Sequence, residues 1–168
     1  MRYRLDVVAA SVADVVTSAG GWLFDRVTAG WDVAVLLDGD DDRRPLQILG
    51  AETLDLETAL AMSTQRPRPH TLAVSTALFG SDARIRSGVL DALDHGTTEV
   101  TLWGETWPAE LNRSVDSVEH RLSAAARAFK SQALAALELP PLAIGTCETF
   151  RSGMTNCLSA TADLVPAS

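Results

Sequence analysis

The stretch Trp31-Asp32-Val33-Ala34-Val35-Leu36-Leu37 is apolar at every position but one. It lacks the alternation of a strand with one wet face and reads as a strand covered on both faces, the condition inside a parallel sheet with helices on either side. Leu72-Ala73-Val74-Ser75-Thr76-Ala77-Leu78-Phe79 repeats the pattern and stops at Gly80. After it, Ile85, Val89, Leu90 and Leu93 recur at helical spacing up to Gly96, and another apolar strand covers residues 98–103. That order, strand, helix, strand, predicts two parallel strands joined by a crossover helix.

Working outward, Tyr3, Leu5 and Val7 alternate with Arg4 and Asp6, as in a first strand. Ser11 stands at an N-cap position, and Val12, Val15, Val16, Ala19, Leu23 and Val27 follow at helical spacing until Gly30. Gly20 and Gly21 lie inside this helix at a cost of about 2 kcal/mol relative to alanine, which marks a kink or a close contact. Residues 46–49 read as a short strand returning in a hairpin after an acidic turn, and residues 54–62 as a short helix capped by Thr53 or Asp55. Prolines at alternate positions make Gln65-Arg66-Pro67-Arg68-Pro69-His70 a loop.

Residues 108–139 read as one long helix, with Leu111, Val115, Val118, Leu122, Ala125 and Phe129 in a heptad-like stripe. The stripe suits a helix lying on the sheet or, with Ala124, Ala125 and Ala126 allowing close approach, contact with a second copy. Residues 1–141 are therefore expected to form a single α/β domain, and residues 142–168 a weakly ordered C-terminal segment. The expected sheet is mixed and mainly parallel, of about five strands flanked by helices. The alternative is a ferredoxin-like α+β fold with an added βα extension, because strand, helix, strand, strand, helix, strand across residues 3–79 is also its order.

Composition narrows the function classes. A chain of 168 residues with a formal net charge of -8 repels nucleic acid and anionic membranes. Arg43 with Arg44, and Arg66 with Arg68, read as solvated charge or as phosphate clamps, the former preferred. Lys130 is the only lysine, the bias of a GC-rich bacterial genome. Asp6 and Asp14 interrupt the apolar start that a leader needs, and no window of 18 residues is uncharged and apolar, so a cytoplasmic location is expected. Cys147 and Cys157 lack zinc spacing and read as free thiols.

Three segments offer chemistry. In Asp38-Gly39-Asp40-Asp41-Asp42, Asp38 and Asp40 are candidate ligands for Mg²⁺ or Ca²⁺ at a strand's C-terminal end; no other cofactor is expected. The same run reads as a solvated Asp-Gly hairpin turn, and that reading is preferred. Ser81 and Asp82 begin a helix whose free N–H groups suit a ligand, or form an ordinary cap. Trp103, Glu105 and Trp107 surround a turn after a strand, where the tryptophans face the core or a partner.

The histidines show no metal spacing, and no phosphate-binding, dinucleotide or nucleophile-elbow pattern occurs. The expectation is a non-enzymatic binding or regulatory module acting through association with itself, as a homodimer, or with another protein. The alternative is a small-molecule-binding or divalent-metal-assisted enzyme with its site at the strand C-terminal ends.

Overall fold

The computed structural model describes residues 2–111, 116–140, 144–153 and 164–166. Four strands, β1 (Arg4–Ala9), β2 (Asp32–Leu37), β3 (Glu52–Asp55) and β4 (Thr71–Ser75), alternate with helices α1 (Val12–Thr28), α2 (Arg44–Ile48) and α3 (Leu56–Ala61). The chain continues through α4 (Thr76–Ser81), α5 (Ala83–His95), β5 (Glu99–Trp103), a 3₁₀ turn (Ala109–Leu111), β6 (Asp116–Arg121), α6 (Ala124–Ala136), β7 (Cys147–Gly153) and β8 (Val165–Pro166). The sheet order is β3-β2-β1-β4-β5-β7-β6-β8. The first five strands in that order run parallel, and β7 pairs antiparallel with both β5 and β6.

This is the layered α/β fold that the uncharged strands predict, with more strands than expected. The parallel pairing removes the ferredoxin-like alternative. Both faces of β2 are covered, as its composition demands. Val33, Val35 and Leu37 enter one core with α1, α2 and α6, while Ala34 and Leu36 enter a second with α3 and α5. No described helix is long and apolar enough to cross a membrane.

Local signals hold where partners are close in sequence. Ser11 caps α1 by accepting from the Asp14 N–H, Asp55 caps α3 through the Thr58 N–H, and Gly96 closes α5 in the left-handed region. Gly21 marks a close contact: a Cβ there would stand 2.3 Å from a methyl of Leu122.

Four expectations are corrected. Residues 46–49 do not return as a strand; Pro45 opens α2, and Leu46 and Leu49, three apart, turn the same way into the first core. Residues 76–79 leave the strand for α4, so the helix at Ser81 and Asp82 follows another helix rather than a strand.

The single helix over 108–139 does not form. Val118, His120 and Leu122 alternate inward on β6 and the turn after it, and positions four apart suit either periodicity until β7 supplies a pairing partner. The continuous stripe on which self-association was read therefore does not exist, and Val115 lies outside the described residues. Finally, residues 147–153 of the expected weakly ordered segment form β7, inside the sheet.

Candidate functional site

The chain leaves β1 toward β2 and β3, then crosses back to β4 and β5, so β1 and β4 flank the switch point of the sheet. Helices depart there in opposite directions, which opens a crevice beyond the strand C-termini. A cavity of about 820 Å³ occupies it. Ala10 and Ser11 follow β1 into its wall, Ser75 and Thr76 close β4, and Trp103, Gly104, Glu105 and Thr106 end β5. Asp14, Thr17 and Ser18 on α1, Lys130 on α6, and Cys147, Glu148 and Thr149 on β7 complete it.

Each wall has a local cause. Asp14 projects from the first turn of α1; its Oδ2 accepts from Trp103 Nε1 at 3.0 Å and its Oδ1 from the Ser18 hydroxyl at 3.3 Å. Trp103 is thereby packed in the first core with its polar edge satisfied. Gly104 adopts φ +148°, and a Cβ there would stand 1.8 Å from Thr76 Oγ1, so only glycine lets the β5 loop pass over Thr76. Thr76 is 3% exposed, and its Oγ1 has no hydrogen-bond partner among the described residues.

At the back of the cavity lies a buried ion pair. Lys130 and Glu148 are each 5% exposed, with Nζ 2.7 Å from Oε2. Glu148 also accepts from the Gly21 N–H at 2.9 Å and the Trp22 N–H at 2.7 Å, and Lys130 donates to the Thr17 carbonyl at 2.8 Å. In a regular helix the Gly21 N–H would meet that Thr17 carbonyl. The pair joins α6 and β7 to α1 at the glycines, where the missing side chain lets Leu122 approach. Burial pushes the Glu148 carboxyl above its ordinary range, against the opposing pull of Lys130 and the two N–H groups.

Of the residues singled out from sequence, Trp103 and Glu105 line this cavity. Trp107 does not; it packs against the second core, with the Arg151 guanidinium 4.2 Å from its ring centre. Ser81 and Asp82 stand apart from the cavity. Asp82 caps α5 through the Arg84 N–H and pairs with the Arg84 guanidinium at 2.9 Å, which holds its carboxyl below the usual range.

Asp38 and Asp40 are exposed, and Asp41 reaches across to accept from the Val12 N–H at the start of α1, at 2.9 Å. The acidic run thus holds a helix end instead of turning a hairpin. Cys147 is a free thiol on the cavity wall, and Cys157 lies outside the described residues.

Sequence reasoning missed Ser11, Asp14, Thr76, Lys130 and Glu148 as site residues. The signal that existed was the glycine pair inside an otherwise regular helix.

The sequence matches no protein family and no curated protein. Solved structures do resemble it. The deacetylase of the A40926 pseudoaglycone superposes with a TM-score of 0.64 at 16% identity, covering 95% of this chain and 100% of its own. A deacetylase in complex with teicoplanin gives 0.61 at 15%, over 91% of this chain and 99% of its own. The zinc-inhibited form of a teicoplanin deacetylase gives 0.60 at 12%, over 98% of this chain and 99% of its own.

At such identities the likeness is one of fold. It nevertheless overturns the expectation of a non-enzymatic, protein-binding module, because these neighbours are all deacetylases; the small-molecule enzyme alternative is the reading they favour. The residues here do not fit a zinc centre. No group of three His, Cys, Asp or Glu that could hold a metal occurs among the described residues. Glu148 is spent on Lys130 and α1, and no histidine stands beside Asp14 in the described lining of the cavity.

Proposed function

We propose that this chain is an enzyme that acts on a small, polar, hydroxyl-bearing molecule in the cavity beyond β1, β4 and β5, by hydrolysis of an acylated amine. The observation that carries this reading is the convergence of Ser11, Ser18, Ser75, Thr76, Asp14 and Glu105 at the switch point of the sheet. Three carboxylates, Asp14, Glu105 and Glu148, face one ammonium, Lys130, already committed to Glu148. Such a wall suits a neutral or cationic ligand and opposes a phosphate. An N-acetylated amino sugar meets that requirement before reaction, and the amine it releases is a cation that Asp14 and Glu105 complement. The deacetylase neighbours support the reaction class.

In this mechanism Asp14 takes a proton from water, its carboxylate oriented by Trp103 Nε1. The hydrolytic water adds to the acyl carbon, the C–N bond breaks, and the proton held by Asp14 passes to the leaving amine. No step passes through a metal. The compartment in which we place it is the cytoplasm, whose reducing conditions suit the free thiol of Cys147.

The experiment is acetate release from N-acetylglucosamine and its aryl glycosides, followed by NMR with and without chelator, together with saturation-transfer binding of glucosamine. We expect turnover insensitive to chelator, and a loss of about 100-fold or more in Asp14→Asn with binding of the neutral N-acetylglucosamine retained. Absence of both acetate release and glucosamine binding would overturn the proposal.

A further inference from the structure

A second cavity, of about 220 Å³, lies against the other face of the sheet, between the strands and α3 and α5. Its volume is below the roughly 300–1,000 Å³ of drug-sized sites, so its occupant is small. The wall is aliphatic: Val8, Leu36 and Val74 rise from the strands, Ile85 and Val89 come from α5, and all five are buried in the second core. One end is cationic. Arg66 and Arg68, on the loop that precedes β4, line that end with the carboxylate of Asp6, while Arg84 lines the cavity from the start of α5, past the other end of β4. Arg84 is taken by Glu57 and Asp82 outside it, and Arg68 is exposed on the proline loop.

The arginine at this end is incompletely used. Arg66 meets Asp6 through Nη2 alone, at 3.2 Å from each carboxylate oxygen, whereas a fork-to-fork pair employs two nitrogens. Its Nη1 is buried without a hydrogen-bond partner among the described residues. Arg4 shares the same carboxylate at 3.9 Å, so two guanidinium groups divide one negative charge. A buried donor on a cation without an acceptor is costly unless something supplies the acceptor.

We infer that this second cavity binds a small aliphatic carboxylate, its charge paired with the incompletely used Arg66 guanidinium and its chain along the aliphatic wall of Val8, Leu36, Val74, Ile85 and Val89. The site is separate from the polar cavity at the strand ends and does not depend on the reaction assigned there.

Sodium octanoate is the probe, compared with octanol and octyltrimethylammonium by calorimetry and by two-dimensional NMR. Octanoate is expected to bind saturably and to shift the resonances of Val74, Ile85 and Val89 but not those of Ser11 or Thr76. Octanol is expected to bind at least about tenfold more weakly, the loss of one charge-assisted contact.

Gly88 lines the cavity on α5, and a Cβ there would meet nothing within 4 Å, so Gly88→Leu fills the space in a helix that tolerates it. That variant should keep or raise the melting temperature and lose octanoate binding. No octanoate binding by the wild type, equal binding of octanol, or undiminished binding by Gly88→Leu would each overturn the assignment.

Discussion

The acidic run at residues 38–42 and the pair Lys130–Glu148 are opposite uses of charge. The run concentrates four carboxylates in five residues, all exposed, and one of them, Asp41, caps α1. The pair brings together two residues 18 apart in sequence, on different elements and out of water, with every contact directed at α1 or at each other. Exposed charge is solvated wherever the chain puts it and imposes little on the fold. Buried charge must be matched atom by atom, so it records how three elements meet. Density of charge along a chain is thus a poor guide to a site; burial is the better one.

The contrast breaks most visibly at Lys130. Lys130→Met leaves the Glu148 carboxylate buried without its cation, and a loss of about 3–5 kcal/mol is expected in urea unfolding. The double variant with Glu148→Leu should recover most of it, because no buried charge is then left without its partner. A double variant as unstable as the single one would show that the pair is not what stabilises this junction.

Gly21→Ala comes next, with a loss of about 1–3 kcal/mol, since its Cβ would stand 2.3 Å from Leu122 Cδ2. Gly20→Ala finds its nearest neighbours at 3.4 and 3.6 Å and should be neutral or slightly stabilising by the same measurement.

A pH series sharpens the same pair. Burial raises the folded-state pKa of Glu148 above its ordinary 4.5, so above that pH the folded protein holds the proton more tightly than the unfolded chain. The contribution of this group to stability is therefore complete below 4.5 and declines as pH rises toward the folded-state value, by at most about 1.4 kcal/mol per unit. Glu148→Gln should flatten that part of the profile; an unchanged slope assigns it to another group.

The smallest effects belong to the acidic run and divide it. Asp41→Ala should cost about 1 kcal/mol through the Val12 cap, while Asp38→Ala and Asp40→Ala should each change stability by less than about 0.5 kcal/mol. Equal losses at all three positions would mean that the run acts as a unit.

How far the site could be read from the chain follows from the same distinction. Trp103 and Glu105 were visible because the end of an apolar strand is a place where ligands gather. Ser11 was legible only as a cap, and its position on the cavity wall follows from the switch point. Thr76 looked like part of a strand, and its unpartnered hydroxyl exists only because Gly104 carries β5's loop over it. Asp82 was legible as part of a helix start but not as a residue already spent on Arg84.

The sequence by itself determined that β2 and β4 are buried on both faces, and hence that helices lie on two sides of a parallel sheet. It also determined where α1 begins and α5 ends, because caps and periodicity act over one or two turns of chain. Tertiary structure alone decided that residues 116–121 form a strand, that residues 46–49 coil into α2, and that the lone lysine meets Glu148 beside the two glycines of α1. Those outcomes rest on partners distant in sequence, whose faces become neighbours only once the sheet order β3-β2-β1-β4-β5-β7-β6-β8 has been set.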